Sequence, residues 1–254
     1  MIGIFDSGLG GLAVLNEIRK QNKSIDLTLL SDYKNAPYGT KTPHKLLSLV
    51  KDDIEILEGC GAKKILIGCC TASTVYDRLS KKEKEISVPI ITPTAREAVR
   101  ISENLSIGVI GTRLTVNSHA FKDEILKLSY GARVYENEAQ GLVSIVESGN
   151  TGTRESRRAI KEALAPLLKF EIDCLILGCT HFEWIRGEIE SLIPKIKIVS
   201  SPVVGAMEII REFENEKGCA NTYFIGKERG YRNGKIQTRK NKRCGSKGAG
   251  DCPA

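Results

Sequence analysis

Along the chain, short apolar runs rich in β-branched residues alternate with longer stretches whose apolar positions recur every three to four residues. The short runs predict strands at 2–5, 27–30, 64–67, 90–91, 107–110, 133–135, 174–177 and 197–199. The longer stretches predict helices over 11–20, 45–58, 118–128, 154–169 and 184–193. Strands that alternate with helices pair in parallel, since each helix carries the chain back across the sheet. The expected fold class is therefore α/β, with mostly parallel sheets.

The pattern also repeats. "IGIFDSGLGG" at residue 2 is answered by "IGVIGTRLTV" at residue 107, 105 positions on. "LIGCCTAS" matches "LILGCTHF" with Cys69 and Cys179 110 apart, and "VPIITPTAREA" at 88 matches "IKIVSSPVVGA" at 196, 108 positions on. Three nearly equal offsets in one order predict two similar lobes, 1–92 and 93–205, related by a pseudo-two-fold. Part of 206–226 is expected to return to the first lobe. Ligands of open parallel sheets collect beyond the C-terminal strand ends. Lobes joined with those ends facing would place Cys69 and Cys179 on opposite walls of one cleft.

Composition narrows the class. Hydrophobic residues are 41% and charged residues 27% of 254, as in an ordinary globular protein. No apolar run reaches the ~20 residues that span a bilayer. The first residues read as a strand rather than a secretory signal, so a cytoplasmic location is expected. Eight cysteines without regular spacing, two of them adjacent, do not form a disulfide framework. Cys60, Cys174 and Cys219 carry no motif and are expected to act as small buried apolar residues. The net charge of +7 lies wholly in 227–254, where nine Lys/Arg face only Glu228 and Asp251. That basic segment is expected to be a disordered tail outside both lobes.

Four polar clusters fall at predicted strand ends: Asp6-Ser7, Pro37-Tyr38-Gly39, Cys69-Cys70-Thr71 and Cys179-Thr180-His181. Thr112 and Thr115 hold the matching place in the second half. Each alone also fits a helix cap or a turn. Together, at one locus, they suit proton transfer at a carbon stereocentre. Inversion there needs a base on one face and an acid on the other. A thiol has a pKa of about 8.5, and a nearby cation or helix N-terminus lowers it toward neutrality. One thiolate can take the proton while the opposite thiol delivers another. Asp6 and His181 sit beside the thiols, suited to relay protons or orient them. The glycines of "DSGLGG" lack the full nucleotide-binding fingerprint, but with a helix N-terminus they suit a small anion such as a carboxylate.

The motifs "IGIFDSGLGGL", "PYGTKT", "CCTAS", "IGVIGT" and "LGCTH", in this order, resemble the cofactor-independent glutamate racemases of the aspartate/glutamate racemase superfamily over about residues 2–210. The resemblance implies interconversion of L- and D-glutamate for peptidoglycan, without cofactor or metal. It implies Cys69 and Cys179 as the two bases, with Asp6 and His181 assisting. It implies substrate contacts from Ser7, Tyr38, Gly39, Thr71, Thr115, Glu147 and Thr180. Pro37, Cys70 and Thr112 join that set by position. Three departures stand out: Cys70 where the family usually has Asn, Glu183 where proline is usual, and a polar tail in place of a closing helix. Other readings stay open at this point. They are a racemase of a related acidic amino acid, a weakened amino-acid binder, a zinc site from Cys69, Cys70, Cys179 and His181, and nucleic-acid binding through the basic tail. The expected partner is glutamate, with a homodimer left open and no membrane.

Overall fold

A computed structural model of the chain describes residues 1–213, 218 and 220–226. Among these residues are nine strands: β1 (Ile2–Asp6), β2 (Leu27–Ser31), β3 (Lys64–Ile67), β4 (Ser87–Pro89), β5 (Ser106–Gly111), β6 (Arg133–Glu138), β7 (Cys174–Gly178), β8 (Lys197–Ser200) and β9 (Thr222–Gly226). They form two sheets, ordered β4-β3-β1-β2-β9 and β6-β5-β7-β8. Every pairing is parallel. Written from the matching end, β8-β7-β5-β6 repeats β4-β3-β1-β2, the internal symmetry that the sequence offsets predict.

Burial explains the strand composition. β1, β2, β5 and β7 are buried at every position because helices cover both faces, so they read as continuous apolar runs rather than alternating ones. Each half has its own apolar cluster, one around Phe5, Ile54 and Ile67, the other around Ile110, Leu164 and Phe182. A third cluster joins Ile4 and Val14 to Val109 and Ile176, so the halves share a core. The strand order reverses between β1 and β3 and again between β5 and β7, the points at which open parallel sheets take ligands.

Several elements differ from expectation. The strand expected at 90–91 lies earlier, at Ser87–Pro89, and Ile91 opens a helix, Ile91–Ile101. Ile91, Ala95 and Ala98 are all buried, which is helix spacing, and Pro93 fits the first turn because its missing N–H has no partner to lose there. The expected helix over 154–169 ends at Leu164 and continues, after Pro166, as a 3₁₀ turn at Leu167–Lys169. The one over 184–193 is a 3₁₀ stretch, Thr180–Ile185, followed by an α-helix, Arg186–Leu192. The helix expected from 118 begins at Ala120. No strand is expected within 206–226, only a return to the first lobe; there β9 pairs with β2 at the edge of the first sheet. The basic segment 227–254 and Cys219 lie outside the described residues. Cys174 is fully buried, but Cys60 is only half-buried. Among the described residues no helix is long and apolar enough to cross a membrane.

Candidate active site

Cys69 follows β3 and Cys179 follows β7, the equivalent strands of the two sheets, and each thiol residue is 6% exposed. Asp6 ends β1, between them. Its Oδ1 accepts from the Gly8 N–H at 2.9 Å, and its Oδ2 accepts from the Thr180 hydroxyl at 2.9 Å. Asp6 from the first lobe and Thr180 from the second thus fasten the two strand ends together. Gly10 makes the fit possible, since a Cβ there would lie 2.0 Å from the Thr180 Oγ1. Asp6 and Ser7 do not cap the Gly10–Gln21 helix, whose cap position is Leu9, without a side-chain bond.

The second wall is a relay of polar groups. His181 Nδ1 stands 3.8 Å from the Cys179 sulfur, and Nε2 stands 2.5 Å from Glu147 Oε1. The same carboxylate oxygen accepts from the Leu9 N–H at 3.3 Å. Glu147, expected to touch substrate, is therefore engaged with the imidazole. Burial alone would lower the His181 pKa. Hydrogen bonds to Cys179 and Glu147, with the fields of Cys179 and Asp6, outweigh it and hold the imidazole well above its ordinary value. The bond to His181 in turn holds Glu147 below the usual carboxylate range, against partial burial.

On the first wall, burial and then the Asp6 carboxylate push the Cys69 thiol far up, against hydrogen bonds from the Ala72 backbone and Ser7. The field of Cys179 raises Cys69 a little further. Burial likewise raises Asp6, opposed by the fields and hydrogen bonds of His181, Gly8 and Thr180. Cys70 is 1% exposed, packed in the shared core and hydrogen-bonded to Ser201. Burial and then the field of Cys179 push its thiol up too.

Three hydroxyls meet between the lobes. Thr71 lies 2.9 Å from Thr112 and 3.2 Å from Thr115, and Thr112 lies 2.9 Å from Thr115. Thr71 comes from the first lobe and the others from the second. Thr112 also caps the Arg113–Asn117 helix by accepting from Thr115 N. Gly39 packs against Thr112 and Gln140 with no room for a Cβ.

The structure thus brings Asp6, Ser7, Cys69, Cys179, Thr180, His181 and Glu147 together, with Thr71, Thr112, Thr115 and Gly39 close behind. Two others stand differently. Pro37 is exposed. The Tyr38 hydroxyl is spent on Asp32 and Asp53. Cys70 packs in the shared core against Ser201, within the fields of Cys179, Cys69 and Asp6. Sequence reading missed Asp32, Asp53, Gln140 and Ser201, each a lone polar residue without motif. The one usable signal was "SDYKN" at a strand end, beside the "PYG" motif it supports. Among the described residues, no three or more His, Cys, Asp and Glu side chains are arranged to hold a metal ion.

Fold and site together define a two-lobed α/β protein in which each half carries a buried thiol at the end of an equivalent strand, beside a carboxylate or an imidazole. The chain belongs to the Asp/Glu/Hydantoin racemase family, whose model matches residues 25–209. It is 35% identical over 211 residues to the glutamate racemase of Picosynechococcus sp., covering 82% of this chain and 75% of that one. It is 35% identical to that of Desulforudis audaxviator, with 83% and 77% covered. Among solved structures it is similar to glutamate racemase from Francisella tularensis in complex with D-glutamate, with a TM-score of 0.82, 27% identity, and 89% and 88% of the chains covered.

Proposed function

We propose that this chain interconverts L- and D-glutamate, with Cys69 and Cys179 as the two proton-transfer groups. The observation that carries this reading is the placement of two buried thiols at equivalent ends of β3 and β7, each beside its own ionisable partner. Relatives named glutamate racemase, and a similar structure that binds D-glutamate, support the choice of substrate.

The chemistry follows from the groups present. One sulfur, as thiolate, takes the α-proton: the Cα–H bond breaks and an S–H bond forms. The electron pair spreads into the substrate carboxylate, where hydroxyls and backbone N–H groups stabilise it. The opposite S–H then breaks as a new Cα–H bond forms on the other face. Cys69, pushed up by burial and Asp6, rests as the protonated thiol, the form that donates. His181, held charged, can return a proton to Cys179, while Asp6 can hold one beside Cys69. These exchanges reset the pair after each turnover. Glutamate made this way would serve peptidoglycan synthesis in the cytoplasm, and sedimentation would decide between a monomer and a homodimer.

The test is circular dichroism of L-glutamate and, separately, L-aspartate, each incubated with purified protein and no added cofactor. Decay of the glutamate signal to zero, faster than that of aspartate, is the expected result. A stable glutamate signal, or faster loss from aspartate, would overturn the substrate assignment.

A further inference from the structure

After Cys179 the chain enters the 3₁₀ stretch Thr180–Ile185, six residues long. Such turns are uncommon beyond three or four residues, because their hydrogen bonds are poorly aligned. This one carries Thr180 and His181, and side chains hold it from outside. Two of the holds face the site: Thr180 on Asp6, and His181 on Glu147. The third does not. Glu183 accepts, at Oε2, from the Ser200 hydroxyl at the end of β8.

Ser200 is a fixed point. It is 3% exposed and holds the cap position of the Ser201–Arg211 helix, yet its side chain makes no capping bond. Pro202, in the first turn, has no N–H to offer it, so the hydroxyl turns to Glu183 instead. Next to it, Ser201 is fully buried, donates to the Leu177 carbonyl at 2.9 Å and is bonded to Cys70. The serine pair thus touches the chain on both sides of Cys179, at Leu177 and Glu183, and also the residue that follows Cys69. We propose that Glu183 is a positioning residue: by accepting from Ser200 it ties the 180–185 stretch to this anchored pair, and so sets where His181 stands against the Cys179 sulfur.

The surroundings of Glu183 suit a tether. Arg186 Nη1 stands 3.8 Å from Oε1, beyond hydrogen-bond range, and its Nε bonds Glu190 at 2.7 Å. The Gly10–Gln21 helix of the first lobe packs on the same stretch and brings Glu17 and Lys20, which pair with each other at 2.5 Å. Burial pushes the Glu183 carboxyl up, against the bond from Ser200 and the fields of Arg186 and Lys20, while Glu17 adds to the rise. Glu183 also stands where proline is usual in the family. A proline stiffens a chain by fixing φ; here a side-chain bond to the next strand end takes that part.

The role in catalysis rests on the glutamate reading above, so the test has an arm that needs no activity. In the substrate-free protein, NMR follows the titration of the His181 imidazole. Ser200→Ala keeps the charge at 183 and loses the bond, whereas Glu183→Gln loses the charge and keeps an oxygen that accepts it. A tether requires Ser200→Ala to lower the His181 midpoint and Glu183→Gln to leave it in place. The reverse pattern, which a field acting on the imidazole would give, overturns the proposal. Should Ser200→Ala fail to fold, Glu183→Asp takes its place. It keeps the charge but draws the carboxylate back from Ser200, so an unmoved midpoint there overturns the proposal as well. Steady-state kinetics form the second arm. Ser200→Ala and Glu183→Ala should each lower kcat about tenfold, the loss of one hydrogen bond to a charged group, with Glu183→Gln close to wild type. The double alanine variant should be no slower than either single one, because both changes remove the same bond. Additive losses, or Glu183→Gln as slow as Glu183→Ala, tell against the tether. A His181 midpoint that follows the bond, in a protein that does not act on glutamate, upholds the positioning while the functional reading falls.

Discussion

Glu147 Oε1 lies 2.5 Å from His181 Nε2, and the other ring nitrogen faces the Cys179 sulfur at 3.8 Å. Because one carboxylate oxygen also accepts from Leu9 N at the start of the Gly10–Gln21 helix, the imidazole is fixed in plane and in charge by the first lobe's own backbone. A second-lobe imidazole is thus oriented through a contact that exists only while the lobes are together.

Glu147→Gln should lower the His181 pKa and reduce kcat/KM on the order of tenfold in both directions, since a charge-assisted bond is lost. NMR titration of the imidazole and progress curves from each enantiomer check this. The pH dependence has a definite sign. His181 is raised, so its share of stability is full below the ordinary histidine value of about 6.5 and fades as pH rises through the elevated one. Glu147 is lowered, so its share is full above about 4.3 and fades as pH falls through the depressed value. Stability in Glu147→Gln should fall most between these limits, and little at either extreme. Unchanged imidazole titration would sever the link.

Gly10→Ala places a Cβ 2.0 Å from Thr180 Oγ1 and 2.7 Å from its Cβ. Thr180 must leave Asp6, or the helix must shift, and overpacking of this kind costs about 1–3 kcal/mol. The expected outcome is a lower Tm with activity reduced at least tenfold. Adding Thr180→Gly should recover Tm by removing the clash. Gly10→Ala with wild-type Tm would show that the strand ends do not meet as described.

The repeat was legible because it is written in apolar runs that must be buried on both faces. Strand order in each half then follows from the crossover connections, which is why β4-β3-β1-β2 and β8-β7-β5-β6 agree. β9 was not legible. It is an edge strand whose partner, β2, lies about two hundred residues earlier, and one buried residue, Ile225, carries its signal. The site showed the same division. Cys69, Cys179, Asp6 and His181 announce themselves by chemistry at strand ends, whereas the anchors of the Tyr38 hydroxyl, Asp32 and Asp53, come from a turn and a helix that only the fold brings together.

Thr112→Val tests the hydroxyl triangle. The change removes bonds to Thr71 and Thr115 and the cap on Thr115 N, while keeping the volume nearly constant. Loss of a cap and of buried hydroxyl partners should destabilise by about 1–2 kcal/mol. Thr112→Ser, which keeps the oxygen, should recover most of it. Chemical denaturation of the three proteins is the measurement, and equal stability of the Val and Ser variants would dismiss the triangle as a clasp.

Cys70→Asn asks what the departure from the family pattern does. The thiol is buried beside Ser201, within the field of Cys179, and offers only a weak donor. An amide here can bond Ser201 and still present N–H toward the crevice. We expect kcat/KM for glutamate to rise about tenfold, the value of one charge-assisted hydrogen bond, with some loss of Tm from a polar group in the shared core. Unchanged or lower activity would mean that the pocket is shaped around a thiol.

The two thiols can be separated by isotope exchange. If they stand on opposite faces of the substrate, each removes the α-hydrogen of one enantiomer only: by family resemblance, Cys69 from D-glutamate and Cys179 from L-glutamate. A serine hydroxyl is far less acidic than a thiol, so either Cys→Ser change should suppress racemisation in both directions by several orders of magnitude. Half of the chemistry should survive. In D₂O, Cys179→Ser should still exchange the α-hydrogen of D-glutamate through Cys69, with exchange from L-glutamate lost. Cys69→Ser should give the mirror pattern, and here His181 and Glu147 remain to recycle the proton on Cys179. Adding Glu147→Gln to each single mutant makes the assignment sharper. It should slow exchange in the Cys69→Ser background, where the imidazole serves the active sulfur, and leave exchange in the Cys179→Ser background nearly untouched. Equal exchange from both enantiomers in either single mutant would end the two-face description, as would full racemisation in the double cysteine mutant. Equal slowing by Glu147→Gln in both backgrounds would instead keep the two faces and remove His181 from the Cys179 side.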